Sequence, residues 1–230
     1  MTQQPASIYP VDTPHGLARL HVHTSLGMTS PRGALLLGHG AGGGVTARDL
    51  AYLAEELPRH EIAVALFEQP WRVAGRRVAT PALTLDDAWL RAVGALPTLG
   101  FSDTPLFVGG RSTGARVACR TFAESGALGV IALGFPLHPP GREVSRAGEL
   151  SGGQPTLVLQ GSRDRFGDAT QFVDLSTAVT VVSIPWADHE FAVPRAAPIT
   201  QRECLELVAE HVSRRIDTLL MRESVAANGR

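Results

Sequence analysis

Short apolar runs recur along the chain, and each is ended by a loop rich in glycine, proline or polar residues. Such runs are typical of parallel strands that are buried on both faces of a sheet. The pattern predicts buried strands at 33–38, 61–67, 106–108, 129–134, 156–160 and 179–184. Helical periodicity predicts helices at 46–57, from 84 onwards, at 115–122 and at 199–222. Strands that alternate with helices indicate an α/β fold, with a mostly parallel sheet and helices on both faces.

The start of the chain has a different pattern, because polar and apolar positions alternate there as in a half-exposed strand. This pattern predicts two antiparallel strands, at 7–14 and 16–25, joined by a Pro-His-Gly turn. The histidines of this region are expected on the strand surface; they are His15, His21 and His23. Since no cysteine or carboxylate lies close to them in the sequence, we predict no metal site.

Segment 106–116 carries the main chemical signal. Its apolar run is followed by Gly110-Arg111-Ser112-Thr113-Gly114, which matches the G-x-S-x-G nucleophile elbow. On such a strand-to-helix turn the serine hydroxyl is exposed, and the flanking glycines let neighbouring backbone pass close to it. The helix predicted after the turn aims free N–H groups at the same point. The alternative is a tight turn with an inert serine, because the pattern also arises by chance in glycine-rich chains.

A second glycine-rich loop, 38–43 (GHGAGG), follows a buried strand and precedes a helix for which Thr46 and Asp49 are the predicted caps. It matches the G-x-G-x-x-G pattern of dinucleotide-binding loops. However, two strands precede it, and the acidic residue required would have to be Glu61 or Glu68, neither at a convincing strand end. The elbow downstream favours an oxyanion loop, whose backbone N–H groups stabilise a developing negative charge.

Composition narrows the possible chemistry. The 230 residues include 21 arginines and no lysine, which excludes Schiff-base and P-loop lysines, and the net charge of −1 gives no reason to expect nucleic acid or an anionic membrane as partner. Cys119 and Cys204 form no C-x-x-C pair, which argues against a metal site or disulfide and for a reduced cytoplasm. No apolar run approaches the length of a membrane span, about 20 residues. The N-terminus lacks the pattern of a secretory signal, and 224–230 is expected to be a frayed tail.

Four residues with useful chemistry fall directly after predicted strands: His39, Ser112, Asp164 and His189. In parallel sheets, functional residues collect at the carboxyl ends of the strands. A serine nucleophile needs a base within hydrogen-bond reach, and the base needs an acid to orient it. In hydrolases with a nucleophile elbow these residues follow in the order serine, acid, histidine. That order selects Ser112 as nucleophile, Asp164 as acid and His189 as base.

Four other residues compete for the acid and base roles. Asp168 lies further from the strand end and has the position of a helix cap, and Asp188 directly precedes His189, so that their side chains point apart. His138 precedes the best acid in the chain, and His211 falls in the middle of a predicted helix.

Five stretches together resemble the α/β-hydrolase superfamily, and within it a branch of small, lidless, dienelactone-hydrolase-like proteins. That branch includes testis-expressed hydrolase-like proteins and the hydrolase-like domain of a subunit of the non-specific-lethal complex. The stretches are 38–43 (GHGAGG), 109–116 (GGRSTGAR), 134–141 (GFPLHPPG), 159–167 (LQGSRDRFG) and 187–191 (ADHEF). The resemblance implies the same three catalytic residues. It also implies an oxyanion hole formed by backbone N–H groups near Ala41 and Thr113, where Thr113 replaces a frequent Met or Gln without removing that donor.

The substrate site is expected to be open, because about 20 residues between the strands ending near 134 and starting at 156 are too few for a helical cap domain. Arginines follow several predicted strand ends, and a guanidinium holds carboxylate or phosphate through its planar fork. They are Arg72, Arg76, Arg77, Arg111, Arg142, Arg163 and Arg165. We expect His39, Arg111 and His138 to contact substrate, with Arg111 the best candidate to bind an anionic acyl group or a phosphorylated ester. Alternatively, several arginines pair with Glu68, Glu143 or Asp168 or lie in solvent.

The sequence therefore predicts one α/β-hydrolase domain over 1–230, with its core at about 7–222. It is expected to hydrolyse a small ester or thioester through an acyl-enzyme, in the cytoplasm, as a monomer or homodimer, without metal or cofactor. The alternative from another class is a catalytically silent scaffold or binding module with a hydrolase fold. A nucleotide-binding oxidoreductase is a third possibility and rests on the 38–43 loop alone.

Overall fold

The computed structural model of the protein describes residues 6–28, 30–77, 79–139 and 144–228 and is built around an eight-stranded sheet. The strands are β1 (Ser7–Thr13), β2 (Gly16–His23), β3 (Gly33–Gly38), β4 (Ile62–Glu68), β5 (Leu106–Arg111), β6 (Val130–Leu133), β7 (Thr156–Gly161) and β8 (Val179–Ile184). Their order across the sheet is β1-β2-β4-β3-β5-β6-β7-β8. Strand β2 runs antiparallel to both β1 and β4, and the remaining neighbours are parallel. The predicted mostly parallel sheet with an antiparallel start is confirmed.

The helices are α1 (Arg48–Glu56), α2 (Pro70–Val73), α3 (Ala82–Ala95), α4 (Thr113–Arg120), α5 (Phe122–Ser125) and α6 (Gln201–Asn228). The short helices α2 and α5 were not predicted. The frayed tail predicted from 224 is wrong for 224–228, which continue α6, and the last two residues lie outside the described ranges. Residues Val225-Ala226-Ala227 favour the helix through the high propensity of alanine, although the end of α6 is exposed. Among the helices described, none is long and apolar enough to cross a membrane.

Apolar side chains form a core on each face of the sheet. On one face α1 and α6 pack against alternate residues of the central strands, for example Leu35 and Leu37. On the other face α3 and α4 pack against the intervening residues, for example Leu36. Because consecutive strand residues point to opposite faces, a strand buried on both faces must be apolar throughout. This explains why uninterrupted apolar runs located the central strands.

The start of α1 differs from the prediction. Its N-cap is Ala47, which makes no side-chain capping bond, and Asp49 lies in the first turn with its side chain fully buried. The Asp49 carboxylate faces the guanidinium of Arg111 from β5, and the backbone N–H groups of Leu50 and Asp49 also act on it. Neither Thr46 nor Asp49 is the N-cap, and a buried cation from a distant strand is the main partner of the Asp49 carboxylate.

The antiparallel pairing of β2 with β4 places Glu68 beside the histidines of β2. The Glu68 carboxylate lies 3.2 Å from His21 Nε2 and 3.7 Å from Arg19. His15, in the β1–β2 turn, lies 3.1 Å from Asp87 of α3. Both histidines thus have carboxylate partners that are remote in sequence. Nowhere in the described ranges do three or more potential metal-ligating side chains come together.

The sheet has its carboxyl edge open to solvent. Between β6 and β7 the described residues form no helix longer than the single 3-10 turn Ala147–Leu150, and 140–143 lie outside the described ranges. Within the described ranges no separate cap domain covers the loops that follow β3, β5, β7 and β8. Those loops carry the residues singled out from the sequence.

Candidate active site

Ser112 sits on a sharp turn between β5 and α4. Its backbone has φ +53° and ψ −109°, a conformation that non-glycine residues rarely adopt and that occurs mainly at functional sites. A Cβ added to Gly110 or to Gly114 would lie 2.5 Å or 2.2 Å from the carbonyl oxygen of Gly38. The turn therefore packs directly on the end of β3, and both glycines of the G-x-S-x-G pattern are required for that close approach.

A chain of hydrogen bonds joins the three residues that the sequence selected. His189 Nε2 lies 3.0 Å from Ser112 Oγ, and His189 Nδ1 lies 2.7 Å from Asp164 Oδ2. Because an ionised carboxylate only accepts hydrogen bonds, Nδ1 carries the proton, and Nε2 of the neutral ring is left to accept from the serine hydroxyl. This is the arrangement in which a histidine can remove the proton of a serine.

Asp164 is held from several sides. Its side chain is fully buried, Oδ1 accepts from the backbone N–H of Phe166 at 2.8 Å, and Oδ2 accepts from Gln160 Nε2 at 2.8 Å. Gln160 also donates to the carbonyl of Gly167 at 2.6 Å, which closes the loop after β7 around the carboxylate. The sequence analysis missed Gln160, although an amide at the end of an otherwise apolar strand is a recognisable signal.

The loop after β8 presents the His189 ring. Oδ1 of Asp188 accepts from the backbone N–H groups of Glu190 and Ala192, at 2.8 and 2.9 Å, and so shapes this loop. Phe166 packs against the His189 ring edge to face, with 4.5 Å between ring centroids. Gly134, after β6, has φ +53°, and a Cβ there would lie 3.0 Å from the His189 carbonyl oxygen. The signal for Gly134 was a glycine that directly follows an apolar strand, but the sequence could not show what it faces.

The 38–43 loop lies against the elbow. A Cβ added to Gly40 would lie 3.4 Å from Ser112 Cβ. Among the hydrogen bonds of the described residues, none uses the backbone N–H of Ala41 or of Thr113. These two groups thus remain predictions for an oxyanion hole, on segments that meet beside Ser112.

His39 is buried at the start of this loop. Nδ1 bonds the carbonyl of Gly40 at 2.9 Å, and Nε2 accepts from the backbone N–H of Gln69 at 3.2 Å. The ring also packs edge to face on Trp71. The pKa of His39 is lowered, mainly because the ring is buried. The neutral ring with its proton on Nδ1 therefore fits both bonds. These bonds give His39 a role in holding the loop, and its contact with substrate stays a prediction.

Arg111 is also buried, with 7% of its side chain exposed. Nε lies 3.4 Å from Asp49 Oδ2, and Nη2 lies 3.3 Å from the His189 carbonyl oxygen and 3.6 Å from Glu190. Burial raises the pKa of the Asp49 carboxyl, and the Arg111 charge opposes that shift. The guanidinium borders a polar cleft of about 360 Å³ beside the 42–44 glycines. One donor, Nη2, bonds a protein carbonyl, whereas Nε has no hydrogen-bond partner among the described residues, so the anion-binding role of Arg111 stays a prediction.

The other sequence candidates form no part of the hydrogen-bonded chain from Ser112 to Asp164. His138 is half-buried and its backbone N–H donates to Phe166, but within the described structure its ring forms no hydrogen bond or ion pair. Asp168 caps a 3-10 turn through Thr170, as its position suggested, and His211 lies on α6. Arg72, Arg76, Arg77, Arg163 and Arg165 are exposed, and Arg142 lies outside the described residues.

Solved structures with a similar fold cover nearly the whole chain. An alpha-beta serine hydrolase homologue from Coxiella burnetii is 18% identical with a TM-score of 0.72, over 93% of this chain and 99% of that one. A serine hydrolase without lid from Xanthomonas campestris is 19% identical with a TM-score of 0.69, over 94% and 96%. Dienelactone hydrolase from Anabaena variabilis is 20% identical with a TM-score of 0.69, over 95% and 99%. At these identities the likeness shows a shared fold.

Sequence comparison gives the family. No curated protein matches the chain significantly. A family model described as an alpha/beta hydrolase domain matches residues 31–217, which include both glycine-rich loops and all three residues of the hydrogen-bonded chain. Since this match covers most of the sequence and the sheet order agrees with it, the chain belongs to the alpha/beta hydrolase family.

Proposed function

We propose that the protein is a serine hydrolase that cleaves a small carboxylic ester or thioester. The observation that carries the proposal is the continuous hydrogen-bonded chain from Ser112 Oγ through the His189 ring to the buried carboxylate of Asp164. Family membership and the names of similar structures, two of them serine hydrolases and one a dienelactone hydrolase, support the same reaction class.

The reaction proceeds in two halves. In the first, His189 takes the hydroxyl proton as Ser112 Oγ attacks the carbonyl carbon, and the bond to the leaving oxygen or sulfur then breaks while His189 returns the proton to it. In the second, His189 takes a proton from water as its oxygen attacks the acyl carbon; the bond from that carbon to Ser112 Oγ then breaks, and His189 returns the proton to Oγ as the acid leaves. In both halves the backbone N–H groups of Ala41 and Thr113 stabilise the oxyanion. Asp164 holds the ring and stabilises its charged form.

The open carboxyl edge of the sheet favours a small or protruding substrate. With no cap domain, little protein surface is available to enclose a long acyl chain. An organic cofactor is not needed for this chemistry, because the serine supplies the nucleophile and the imidazole moves the proton.

The test is labelling with a fluorophosphonate, which phosphonylates serine only when a neighbouring base activates it. Wild type is expected to label, and Ser112→Ala is expected not to. Ser102→Ala serves as the matched control, since Ser102 is exposed on the loop before β5 and should change nothing. Short-chain p-nitrophenyl esters and acyl thioesters then define the substrate class.

A folded wild-type protein that fails to label would contradict the proposal and would favour a catalytically silent scaffold. Labelling that persists in Ser112→Ala would place the reactive serine elsewhere in the chain.

A further inference from the structure

Arg111 lies between several segments of the candidate site. Its peptide bond leads directly into Ser112, its Nη2 lies 3.3 Å from the carbonyl oxygen of His189, and a Cβ added to Gly40 would lie 3.1 Å from its Nη1. The buried guanidinium therefore lies against the loop that carries the histidine and against the predicted oxyanion loop, while the backbone of Arg111 continues into the elbow.

Asp49 anchors this guanidinium from the far side. The Asp49 side chain is fully buried on α1, with Oδ2 3.4 Å from Arg111 Nε. Among the described residues neither carboxylate oxygen accepts a hydrogen bond of normal geometry; the Arg111 charge is its main compensation, and the backbone N–H groups of Leu50 and Asp49 add weaker contacts. Burial of a carboxylate without a well-formed hydrogen bond is unfavourable to folding, and a pair of packed apolar residues would stabilise the fold at least as well. Stability of the fold therefore does not explain why this ion pair lies beside the candidate site.

We propose that Arg111, held by Asp49, is a positioning residue that fixes the backbone of the His189 loop and thereby the distance between the imidazole and Ser112. The catalytic consequence rests on the proposed hydrolase function, whereas the effect on the loop does not. Glu190, which lies 3.6 Å from Arg111 but has a largely exposed side chain, adds little, because solvent screens exposed ion pairs.

The shape of the guanidinium matters for this role. Arg111 meets Asp49 through Nε and the His189 carbonyl through Nη2, two positions of one rigid planar group. A lysine carries the same charge on a single nitrogen and cannot occupy both positions. Arg111→Lys therefore keeps a cation opposite Asp49 while it removes the link to His189.

The test compares Arg111→Lys with Arg120→Lys. Arg120 follows on α4 and is bonded to Asp86 of α3 at 2.6 and 2.9 Å, in a partly buried pair remote from Ser112. The first readout is hydrogen exchange of the backbone amides of Glu190, Phe191 and Ala192, which all bond Asp188. We expect about tenfold faster exchange in Arg111→Lys and wild-type exchange in Arg120→Lys.

The second readout is the fluorophosphonate labelling rate together with kcat and KM on a short-chain ester. Arg111→Lys is expected to lower labelling and kcat about tenfold with KM nearly unchanged, since the loss lies in alignment and not in binding. Wild-type exchange rates in Arg111→Lys would overturn the inference. It would also be overturned if both lysine variants lost labelling rate and kcat in proportion to their loss in free energy of unfolding. A wild-type protein that does not label would overturn the proposed function alone, because the exchange measurement still decides the role of Arg111.

Discussion

Gln160 and His189 donate to the same oxygen of Asp164. Gln160 Nε2 lies 2.8 Å and His189 Nδ1 lies 2.7 Å from Oδ2, so the carboxylate is fixed by the strand that precedes it as well as by the base that it orients. Since Gln160 is fully buried, water cannot replace its bond to the carboxylate.

Gln160→Leu is therefore expected to slow fluorophosphonate labelling and ester hydrolysis about tenfold, the effect of losing roughly 1.4 kcal/mol of alignment energy. Gln154→Leu is the matched control, because Gln154 is also buried but donates to the carbonyl of Glu149. Both variants should lose similar free energy of unfolding in urea, while only Gln160→Leu loses activity. Equal activity in the two variants would contradict the role of Gln160.

Gly134→Ala is expected to displace the histidine loop. The new Cβ would lie 3.0 Å from the His189 carbonyl oxygen, and alanine at φ +53° costs about 1 kcal/mol. Gly126→Ala has the same backbone cost at φ +68°, with nothing within 4 Å of the added Cβ. Urea unfolding should show the backbone cost in both variants and a further loss in Gly134→Ala from the close contact, whereas the labelling rate should fall about tenfold in Gly134→Ala only. A Gly134→Ala variant that labels like Gly126→Ala would disprove this contact.

His39 should make stability depend on pH. Burial lowers its pKa below the ordinary value of 6.5, so below that pH the unfolded chain binds a proton that the folded chain refuses. The contribution of His39 to the free energy of unfolding is complete above pH 6.5 and is lost as the pH falls through the lowered pKa. Urea unfolding at several pH values should show a steeper loss towards acid for wild type than for His39→Gln, where this titration is absent. Parallel pH curves for the two proteins would refute the neutral His39.

Both cysteines should be inert in the folded protein. Burial raises the pKa of Cys119 to about 12 and that of Cys204 to about 11, and the thiolate is the form that reacts. An aromatic disulfide reagent at about pH 8 should titrate neither thiol in native protein and both after denaturation in guanidinium. Rapid reaction of either thiol in the native state would show local opening around it.

The sequence predicted the central strands well and the helix ends poorly. Strands such as 33–38 are apolar throughout because helices cover both faces of the sheet, and that requirement is visible along the chain. Helix ends depend on which partner a polar side chain finds. Asp49 was an acceptable cap by local rules, but the folded chain offers it the Arg111 guanidinium instead.

For the site, the chain order of Ser112, Asp164 and His189 and their positions after strands were enough to select three residues that prove to be hydrogen-bonded to one another. The roles expected for His39 and Arg111 depended on where long side chains point. Both residues follow strand ends at the open edge, yet both turn inwards to protein partners.

Apolar periodicity, glycine spacing and residue order were sufficient for the fold class and for the position of Ser112 on a strand-to-helix turn, because each of these is a local or strictly sequential property. The partners Gln160, Gly134 and Asp49 emerged only in the folded chain. Their effect comes from contacts between segments tens of residues apart, which exist once the parallel strands bring their carboxyl ends to one edge of the sheet.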